Sequence, residues 1–447
     1  MAGKSLGTLI ACAAFAVFCR PALALDQVDA SYNPPGGLSV EETPVFVVLG
    51  FDDNRYIDGM QWVLELIEGK TNPKGKGNPS TFDGQPIRTA FYFTSGAGMA
   101  DASKPADVAY KADLLKLWKR AVAGGHEVAN HTHTHETTGG HTKDQWVKEI
   151  QDCQKNLVTL LGINSAEIQG FRTPYLDFGK GTFDAIKETG LLYEATVTHQ
   201  GDYNKRQHVW PYTLHKGFSD RANAPSDWIY PGIWEIPVYT TSVDITGHPP
   251  VTGFDSSILT QAYGTEFAGM LKMGLDYRLT AQGNHAPYTV GLHSDTYSDE
   301  NASAKINYDP RMSLPDRRKA LTDFITYALS KPNVRFVSAK QLIQWMRKPV
   351  GLSDIQPVAV EKSRLRPVAA DLIRVKAGQA AFTLPEGGVW SISAMSPKGE
   401  VIYRSRPIHA EHSGAQVTIA LGSLPKGALV LRLEGAGETY TRMIAKP

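Results

Sequence analysis

Short apolar runs alternate with segments of helical spacing between about residue 44 and residue 346. Residues 45–49 form a continuous apolar run of the kind found in buried strands. Residues 60–67 carry apolar side chains at helical spacing, and Gly69 ends that segment. Such alternation predicts an α/β fold in which helices cover a parallel sheet, open or closed as a barrel. The other predicted strands are residues 87–93, 126–130, one that leads into residues 171–175, 192–197, 233–238, 288–292 and 334–337. The other predicted helices are residues 112–123, 143–161, 315–329 and a last one through Trp345.

The pattern changes near the C-terminus. Residues 349–367 are charged, rich in proline and without periodicity, which is typical of a linker. From residue 368 to residue 447 apolar and polar positions alternate with period two, and Pro-Lys-Gly turns recur at residues 397–399 and 425–427. We therefore predict a catalytic domain over residues 25–348 and a small antiparallel β-sandwich over residues 368–447.

The first 24 residues have the composition of a secretory signal peptide. Lys4 precedes an apolar stretch over residues 6–18, and small residues stand at the −3 and −1 positions of a cleavage site after residue 24. This predicts a secreted or periplasmic protein with no membrane span in the mature chain. An uncleaved membrane anchor is the alternative, and residues 9–12 loosely resemble a lipoprotein signal but lie too early in the apolar run.

Composition narrows the possible partners. The chain has 447 residues, and its Lys+Arg count of 46 nearly cancels its Asp+Glu count of 45, which gives no electrostatic reason to expect nucleic acid or an anionic membrane as a partner. Beyond the predicted signal peptide the chain keeps only Cys153, so an intramolecular disulfide is excluded there. Cys153 falls on the apolar stripe of the 143–161 helix and is predicted to be a buried hydrophobe.

The segment His131-Thr132-His133-Thr134-His135 and the pair Asp52-Asp53 are candidates for one metal site. Two imidazoles at i and i+4 can bind one divalent metal, and a remote carboxylate completes a three-ligand set with an open position, as in catalytic zinc sites. The second carboxylate of the pair is then available as a base. An extended segment would instead present all three histidines together and leave Asp53 to orient a ligand.

The candidate residues share one position in the predicted fold. Asp52-Asp53, His131, Arg172 and His293 all stand where predicted strands end. Because the carboxyl ends of parallel strands meet at one edge, these side chains are expected to lie close together.

Four segments in this order resemble the successive motifs of the polysaccharide deacetylases, the NodB-homology family of carbohydrate esterases. They are VFVVLGFDD (residues 45–53), GHEVANHTHTH (125–135), FRTPY (171–175) and GLH (291–293). Residues 209–214 and 341–346 further resemble the chitin-deacetylase-like branch known from arthropods. The resemblance covers roughly residues 40–350.

This resemblance implies a distorted (β/α) barrel that removes N-acetyl groups from amino-sugar polymers with a divalent metal, usually zinc. The implied roles are Asp53, His131 and His135 as metal ligands, Asp52 as general base, Arg172 as the residue that holds Asp52, the backbone N–H of Tyr175 as an oxyanion donor, and His293 as general acid. The resemblance also places His133 outside the ligand set.

The sequence departs from the family pattern at several positions. Gly50 and Asn54 flank the aspartate pair where the family commonly has Thr and a small residue, and the chain lacks the many cysteines of the arthropod proteins. The family's fourth motif, an aspartate-tryptophan cluster that tunes the acid histidine, has no clean match. Asp244 and Glu194 are the two candidates for the partner of His293.

Aromatic residues are concentrated between residues 208 and 239. Flat rings pack well against sugars, so this span is a candidate substrate platform. Trp228 and Tyr230 are the candidates for exposure, whereas Trp234 lies within an apolar strand and is expected in the core.

The sequence thus predicts an exported N-deacetylase of a carbohydrate, with chitin-like N-acetylglucosamine polymers as the expected substrate. An O-deacetylase of an acetylated glycan such as xylan, with the same metal site, is the alternative enzyme. A glycan-binding protein that keeps the fold without catalysis is the alternative from another class, but a complete set of candidate catalytic residues argues against it.

Overall fold

The structure is a computed structural model, and it describes residues 25–137, 139–200, 208–241, 251–260, 264–280, 283–354, 372–376, 378–384, 388–397, 400–410, 415–435 and 438–446. The chain divides into two compact units, Met1–Ile355 and Gln356–Pro447. The predicted signal peptide lies outside the described residues. In the described part of the chain, no helix combines the length and apolar character that crossing a membrane requires.

A curled, mostly parallel sheet forms the centre of the first unit. Its strands follow the order β11-β1-β2-β3-β4-β5-β8-β7, with β12 also paired to β1, and the one antiparallel pairing among its described strands joins β7 to β8. A smaller sheet has the order β10-β9-β6. The strands are β1 (Val45–Asp53), β2 (Ala90–Phe93), β3 (Glu127–Asn130), β4 (Gly170–Phe171), β5 (Tyr193–Glu194), β6 (Thr198–His199), β7 (Tyr212–Thr213), β8 (Trp234–Glu235), β9 (Val238–Thr241), β10 (Val251–Thr252), β11 (Tyr288–His293) and β12 (Val334–Phe336).

Helices connect these strands, and local sequence signals fix their ends. Thr142 and Gln145 form a capping box at the start of the third helix, and Gly162 ends it with a φ of 70° that glycine adopts without strain. Ser338 and Gln341 cap the last helix in the same way. The helices are α1 (Ile57–Ile67), α2 (Pro105–Ala123), α3 (Lys143–Leu161), α4 (Lys180–Thr189), α5 (Asp255–Ile258), α6 (Phe267–Leu279), α7 (Ala302–Asn307), α8 (Leu314–Leu329) and α9 (Ala339–Arg347).

Strand β1 is buried along its whole length because both of its faces are covered. Val45 and Val47 pack in the cluster that includes side chains of α1, α6 and α8. Phe46 and Val48 pack in a second cluster with Trp345 and other aromatic residues. Each such side chain contributes roughly 1.5–3 kcal/mol when fully buried, and the two-sided burial explains the continuous apolar run in the sequence.

The second unit consists of two antiparallel sheets, with strand orders β13-β14-β18 and β16-β15-β19-β20, and β17 pairs with β15. Phe382 from the first sheet and Trp390 from the second lie in one buried cluster, so the sheets face each other as a sandwich. The strands are β13 (Ile373–Lys376), β14 (Gln379–Thr383), β15 (Gly388–Met395), β16 (Val401–Arg404), β17 (Ile408–Ala410), β18 (Gln416–Ala420), β19 (Gly427–Gly435) and β20 (Glu438–Lys446).

The predicted fold class, a distorted (β/α) barrel followed by a small antiparallel β-sandwich, is confirmed. Cys153 is fully buried on α3, as predicted. Helices α4 and α6 were not predicted. Residues 351–354 of the predicted linker hydrogen-bond to Glu42 and Asn78 of the first unit, so that unit extends beyond residue 348.

Candidate metal centre and active site

The aspartate pair lies at the carboxyl end of β1, where the chain turns sharply. Asp53 and Asn54 have φ values of 67° and 61°, in the left-handed region that residues other than glycine rarely adopt. The Asn54 side chain donates to the carbonyls of Phe51 and Tyr92 and holds this turn. Asp52 is in register with His293 on β11, so the candidate base and acid stand on neighbouring strands.

The histidine segment follows β3 as a turn and not as a further strand. Asn130 accepts a hydrogen bond from the N–H of Thr132, and Glu149 on α3 accepts from the N–H groups of His133 and Thr134. Side chains thus take the backbone groups that strand pairing would use. Thr132 and His135 have φ values of 65° and 59°, so side chains two residues apart do not point the same way.

Asp53, His131 and His135 lie together and offer ligand atoms within 4.8 Å of one another. Oδ1 of Asp53 is 2.8 Å from Nε2 of His135 and 3.6 Å from Nε2 of His131. This Oδ1 atom is buried and accepts no hydrogen bond of normal geometry from the described residues. A buried carboxylate oxygen that faces two imidazole nitrogens fits a divalent metal.

The protonation states of this group also fit metal binding. Nδ1 of His131 lies 2.8 Å from the carbonyl oxygen of Arg172, which can only accept, so Nδ1 carries the proton and Nε2 is free to bind a metal. Burial lowers the pKa of His131 to about 4 and keeps the ring neutral. Burial would raise the pKa of Asp53, but His135 and Arg55 outweigh it and hold that pKa well below its usual value.

His133 turns away from this group. Its Nδ1 lies 2.9 Å from Oγ of Ser95 and 3.3 Å from Nδ2 of Asn156 on α3. The geometry therefore brings together the i and i+4 histidines, as the family resemblance implied, and does not form the three-histidine arrangement.

Asp52 pairs with Arg172. Nη1 of Arg172 donates to Oδ1 of Asp52 at 2.7 Å, and Nε donates to the carbonyl of Ala195 at 2.7 Å. The guanidinium is buried and lies 4.1 Å from the ring centre of Tyr92. A Cβ at Gly50 would come within 2.9 Å of Nη1, so the glycine provides the space for this arginine.

The partner of His293 is Asp255, which neither sequence candidate anticipated. Nδ1 of His293 lies 2.7 Å from Oδ1 of Asp255, the first residue of α5. Glu194 instead accepts from the N–H of Thr196 and lies in register with Glu235 on β8, so it is not that partner. Asp244 lies outside the described residues. The available sequence signal was Phe254-Asp255, an aspartate beside an aromatic residue.

Six of the seven predicted site residues line one pocket of about 440 Å³, and the seventh, Arg172, lies behind Asp52. Tyr175 is 65% exposed, and its ring centre is 4.9 Å from that of His135. Tyr175 and Leu176 both have positive φ, which makes six such non-glycine residues around the site. The six residues that line the pocket are Asp52, Asp53, His131, His135, Tyr175 and His293.

The candidate aromatic platform does not form part of the pocket. Tyr230 is buried, against the prediction, and the half-buried Trp228 packs with it around Phe183 in a separate hydrophobic cluster. Neither lines the pocket. Trp234 is buried, as expected.

Two further charged residues, Arg55 and Asp295, belong to the pocket and were missed in the sequence. Each follows a predicted strand end within a few residues, as Asp53 and His293 do. That position was a usable signal, but nothing in the sequence indicated that the two side chains meet.

Sequence comparison matches this chain to a known family and to one of its relatives. Residues 81–193 match the model of the polysaccharide deacetylase family. Chitin deacetylase 8 of Bombyx mori is 25% identical over 334 residues, which cover 72% of this chain and 75% of that protein.

Comparison with solved structures also returns matches. A putative polysaccharide deacetylase from Mycobacterium smegmatis has a TM-score of 0.43 at 16% identity, covering 71% of this chain and 95% of that one. A family 4 acetyl xylan esterase from Clostridium thermocellum, solved with a cobalt ion, has a TM-score of 0.33 at 13% identity, covering 70% and 96%.

Residues 81–193 thus match the polysaccharide deacetylases, a family of hydrolases, and the predicted resemblance to that family is confirmed.

Proposed function

We propose that this protein is a metal-dependent deacetylase that removes N-acetyl groups from an amino-sugar polymer or oligomer of the chitin type. One observation carries the proposal: the two adjacent aspartates have different partners. Asp53 faces the Nε2 atoms of His131 and His135, whereas Asp52 is held by Arg172. Asp53 is thus available to bind a metal, and Asp52 is available to accept a proton.

Asp53, His131 and His135 would hold the metal, with zinc as the expected ion. When bound, a divalent metal supplies a Lewis acid that polarises the acetyl carbonyl and lowers the pKa of bound water to roughly 7. The donor set of one carboxylate and two imidazoles suits zinc and neighbouring transition metals.

Asp52 is proposed as the general base. The Arg172 guanidinium keeps one carboxylate oxygen in place, and the other oxygen lies 4.0 Å from Nε2 of His131, on the side of the metal group. Arg172 acts as a positioning residue, since it fixes Asp52 from behind and does not line the pocket.

His293 is proposed as the general acid. An amine leaving group must be protonated as the C–N bond breaks, so the acid has to carry its proton at neutral pH. Asp255 outweighs the effect of burial and raises the pKa of His293 to about 10, which keeps the ring protonated. The backbone N–H of Tyr175, at the edge of the pocket, is proposed to donate to the developing oxyanion.

The signal-peptide composition of the first 24 residues supports an exported protein, either secreted or periplasmic. An exported enzyme would meet polymeric glycans of this kind, which lie outside the cytoplasm. An O-acetylated glycan such as xylan is the alternative substrate, since the same centre can hydrolyse an ester. A glycan-binding role without catalysis is the other alternative.

The test is acetate release from chitin oligomers, acetylated xylan and peptidoglycan, measured side by side together with metal content. Activity confined to chitin oligomers supports the proposal, and activity confined to xylan replaces it with O-deacetylation. A chain that binds one metal and glycan but releases no acetate overturns the enzymatic proposal.

A further inference from the structure

Arg55 lies between two carboxylates at the edge of the metal group. Its Nη2 is 2.9 Å from Oδ2 of Asp53, and its Nε is 2.6 Å from Oδ2 of Asp295. Its backbone N–H donates to Oδ1 of Asp295 at 2.9 Å. The Arg55 side chain is 41% exposed, whereas the two carboxylates are almost completely buried.

The two oxygens of Asp53 therefore have different neighbours. Oδ1 faces the Nε2 atoms of His131 and His135, and Oδ2 faces Arg55. A carboxylate with both oxygens free can bind a metal through one oxygen or through both. Because Arg55 takes Oδ2, only Oδ1 is presented to the two imidazoles.

The surroundings fix Arg55 in this position. The preceding residue, Asn54, anchors the turn through its side chain, and Nε1 of Trp118 donates to the Asn54 carbonyl at 2.9 Å. Asp295 follows β11 and is itself tied down by Asn301, whose Nδ2 donates to its carbonyl. The pair thus joins the ends of β1 and β11, the strands that carry the candidate base and acid.

We infer that Arg55, oriented by Asp295, is a positioning residue that restricts Asp53 to one-oxygen metal binding. The inference rests on the proposed metal site. A ligand that gives one oxygen donates less charge than one that gives two, which leaves the metal a stronger Lewis acid and an open position for substrate.

Loss of Arg55 is expected to lower turnover without lowering metal affinity. In Arg55→Met, Oδ2 of Asp53 becomes available and a positive charge is removed, so the metal is bound at least as tightly as in the wild type. Turnover on the accepted glycan is expected to fall about 10–100-fold, the usual scale for residues that orient metal ligands. A residue needed only for folding of the site would lower both quantities when replaced.

The experiment uses Co²⁺ as a spectroscopic probe in the full chain, with affinity measured by chelator competition. Arg55→Met is expected to change the visible absorption of bound Co²⁺ toward that of a higher coordination number. Arg55→Lys keeps a charge that can reach one carboxylate, so it is expected to recover part of the wild-type spectrum and turnover. Arg311→Met is the matched control, because Arg311 forms a similar ion pair with Asp309 outside the pocket.

An unchanged Co²⁺ spectrum in Arg55→Met, or metal affinity that falls together with turnover, overturns the inference. The Co²⁺ spectrum and the metal affinity are measured without substrate. They therefore test the role of Arg55 even if the wild type releases acetate from none of the glycans. A wild-type chain that binds no divalent metal overturns both.

Discussion

Nδ1 of His293 lies 2.7 Å from Oδ1 of Asp255, and the backbone N–H of His293 donates to Oδ2 of the same carboxylate at 2.9 Å. Burial opposes a charge on the ring, but Asp255 outweighs it and raises the pKa of His293 from 6.5 to about 10. One carboxylate thus fixes both the orientation of the imidazole and its proton.

Replacing Asp255 by Asn should shift the alkaline limit of activity. The amide keeps the shape of the side chain but removes its charge, so the pKa of His293 falls and the acid loses its proton at lower pH. We expect the fall of kcat/KM in the wild type to begin below pH 10, since a bound divalent cation also lowers this pKa. The fall should come at clearly lower pH in Asp255→Asn.

The control for this pH profile is Asp309→Asn, which removes a carboxylate from an ion pair outside the pocket. An alkaline limit that is the same in Asp255→Asn and the wild type would show that His293 is not the titrating acid.

The same pair should make stability depend on pH. Because folding raises the pKa of His293 from 6.5 to about 10, its stabilising contribution is fully present below pH 6.5 and is lost as the pH rises through about 10. Urea unfolding of the metal-free chain at pH 6 and pH 10 measures this. The destabilisation caused by His293→Gln should be larger at pH 6, and an equal effect at both values would contradict it.

Metal binding should depend on two of the three neighbouring histidines. His131→Ala and His135→Ala remove candidate ligands and are expected to lose most of the bound metal, about one ion per chain in the wild type. His133→Ala should keep it, because that ring contacts Ser95 and Asn156 instead. Metal content after dialysis is the measurement, and equal loss in all three variants would restore the three-histidine assignment.

Loss of the proposed base or acid should lower turnover without loss of metal, unlike loss of a metal ligand. Asp52→Asn and His293→Ala each remove a proton-transfer group but leave the ligand set intact. Both are expected to retain metal and to lose about 10²–10⁴-fold in turnover. Turnover close to that of the wild type in metal-loaded His293→Ala would mean that another group protonates the leaving amine.

The first unit should fold without the second. It has its own hydrophobic clusters, and the residues of the proposed site lie within it. A chain that ends at residue 355 is expected to keep most activity on soluble oligomers. A chain that ends at residue 349 lacks the hydrogen bonds of Leu352 to Glu42 and of Asn78 to Gly351. It should therefore melt at a lower temperature than the chain that ends at residue 355.

Melting temperature, metal content and acetate release compare these two chains with the full-length protein. A chain ending at residue 355 that is soluble and metal-loaded but inactive would show that the second unit takes part in catalysis.

Much of the site could be predicted because the sequence places its residues at strand ends. The continuous run of residues 45–49 identified a strand covered on both faces, and the aspartates follow it directly. The carboxyl ends of parallel strands share an edge, so distant segments such as those of His131 and His293 could be brought together from their positions alone.

The rest depends on contacts that no local pattern records. Asp255 starts a helix of four residues, too short for hydrophobic periodicity to reveal. Arg55 and Asp295 are 240 positions apart and meet only because β1 and β11 pair. The exposure of Tyr230 was misjudged because an aromatic residue beside polar neighbours can still face inward, as Tyr230 does against Phe183.

The left-handed backbone at Asp53, Asn54, Thr132, His135, Tyr175 and Leu176 has a consequence for engineering. Each such residue costs of order 1–3 kcal/mol relative to a relaxed conformation. A screen that rewards heat resistance alone will therefore favour glycine at Leu176, where no side chain is proposed to act. At Thr132 the same exchange would also remove the hydroxyl that accepts the backbone N–H of His135. A glycine at Leu176 would raise the melting temperature while the turn that carries Tyr175 loses rigidity, so selection for heat resistance and selection for turnover should favour different residues at this position.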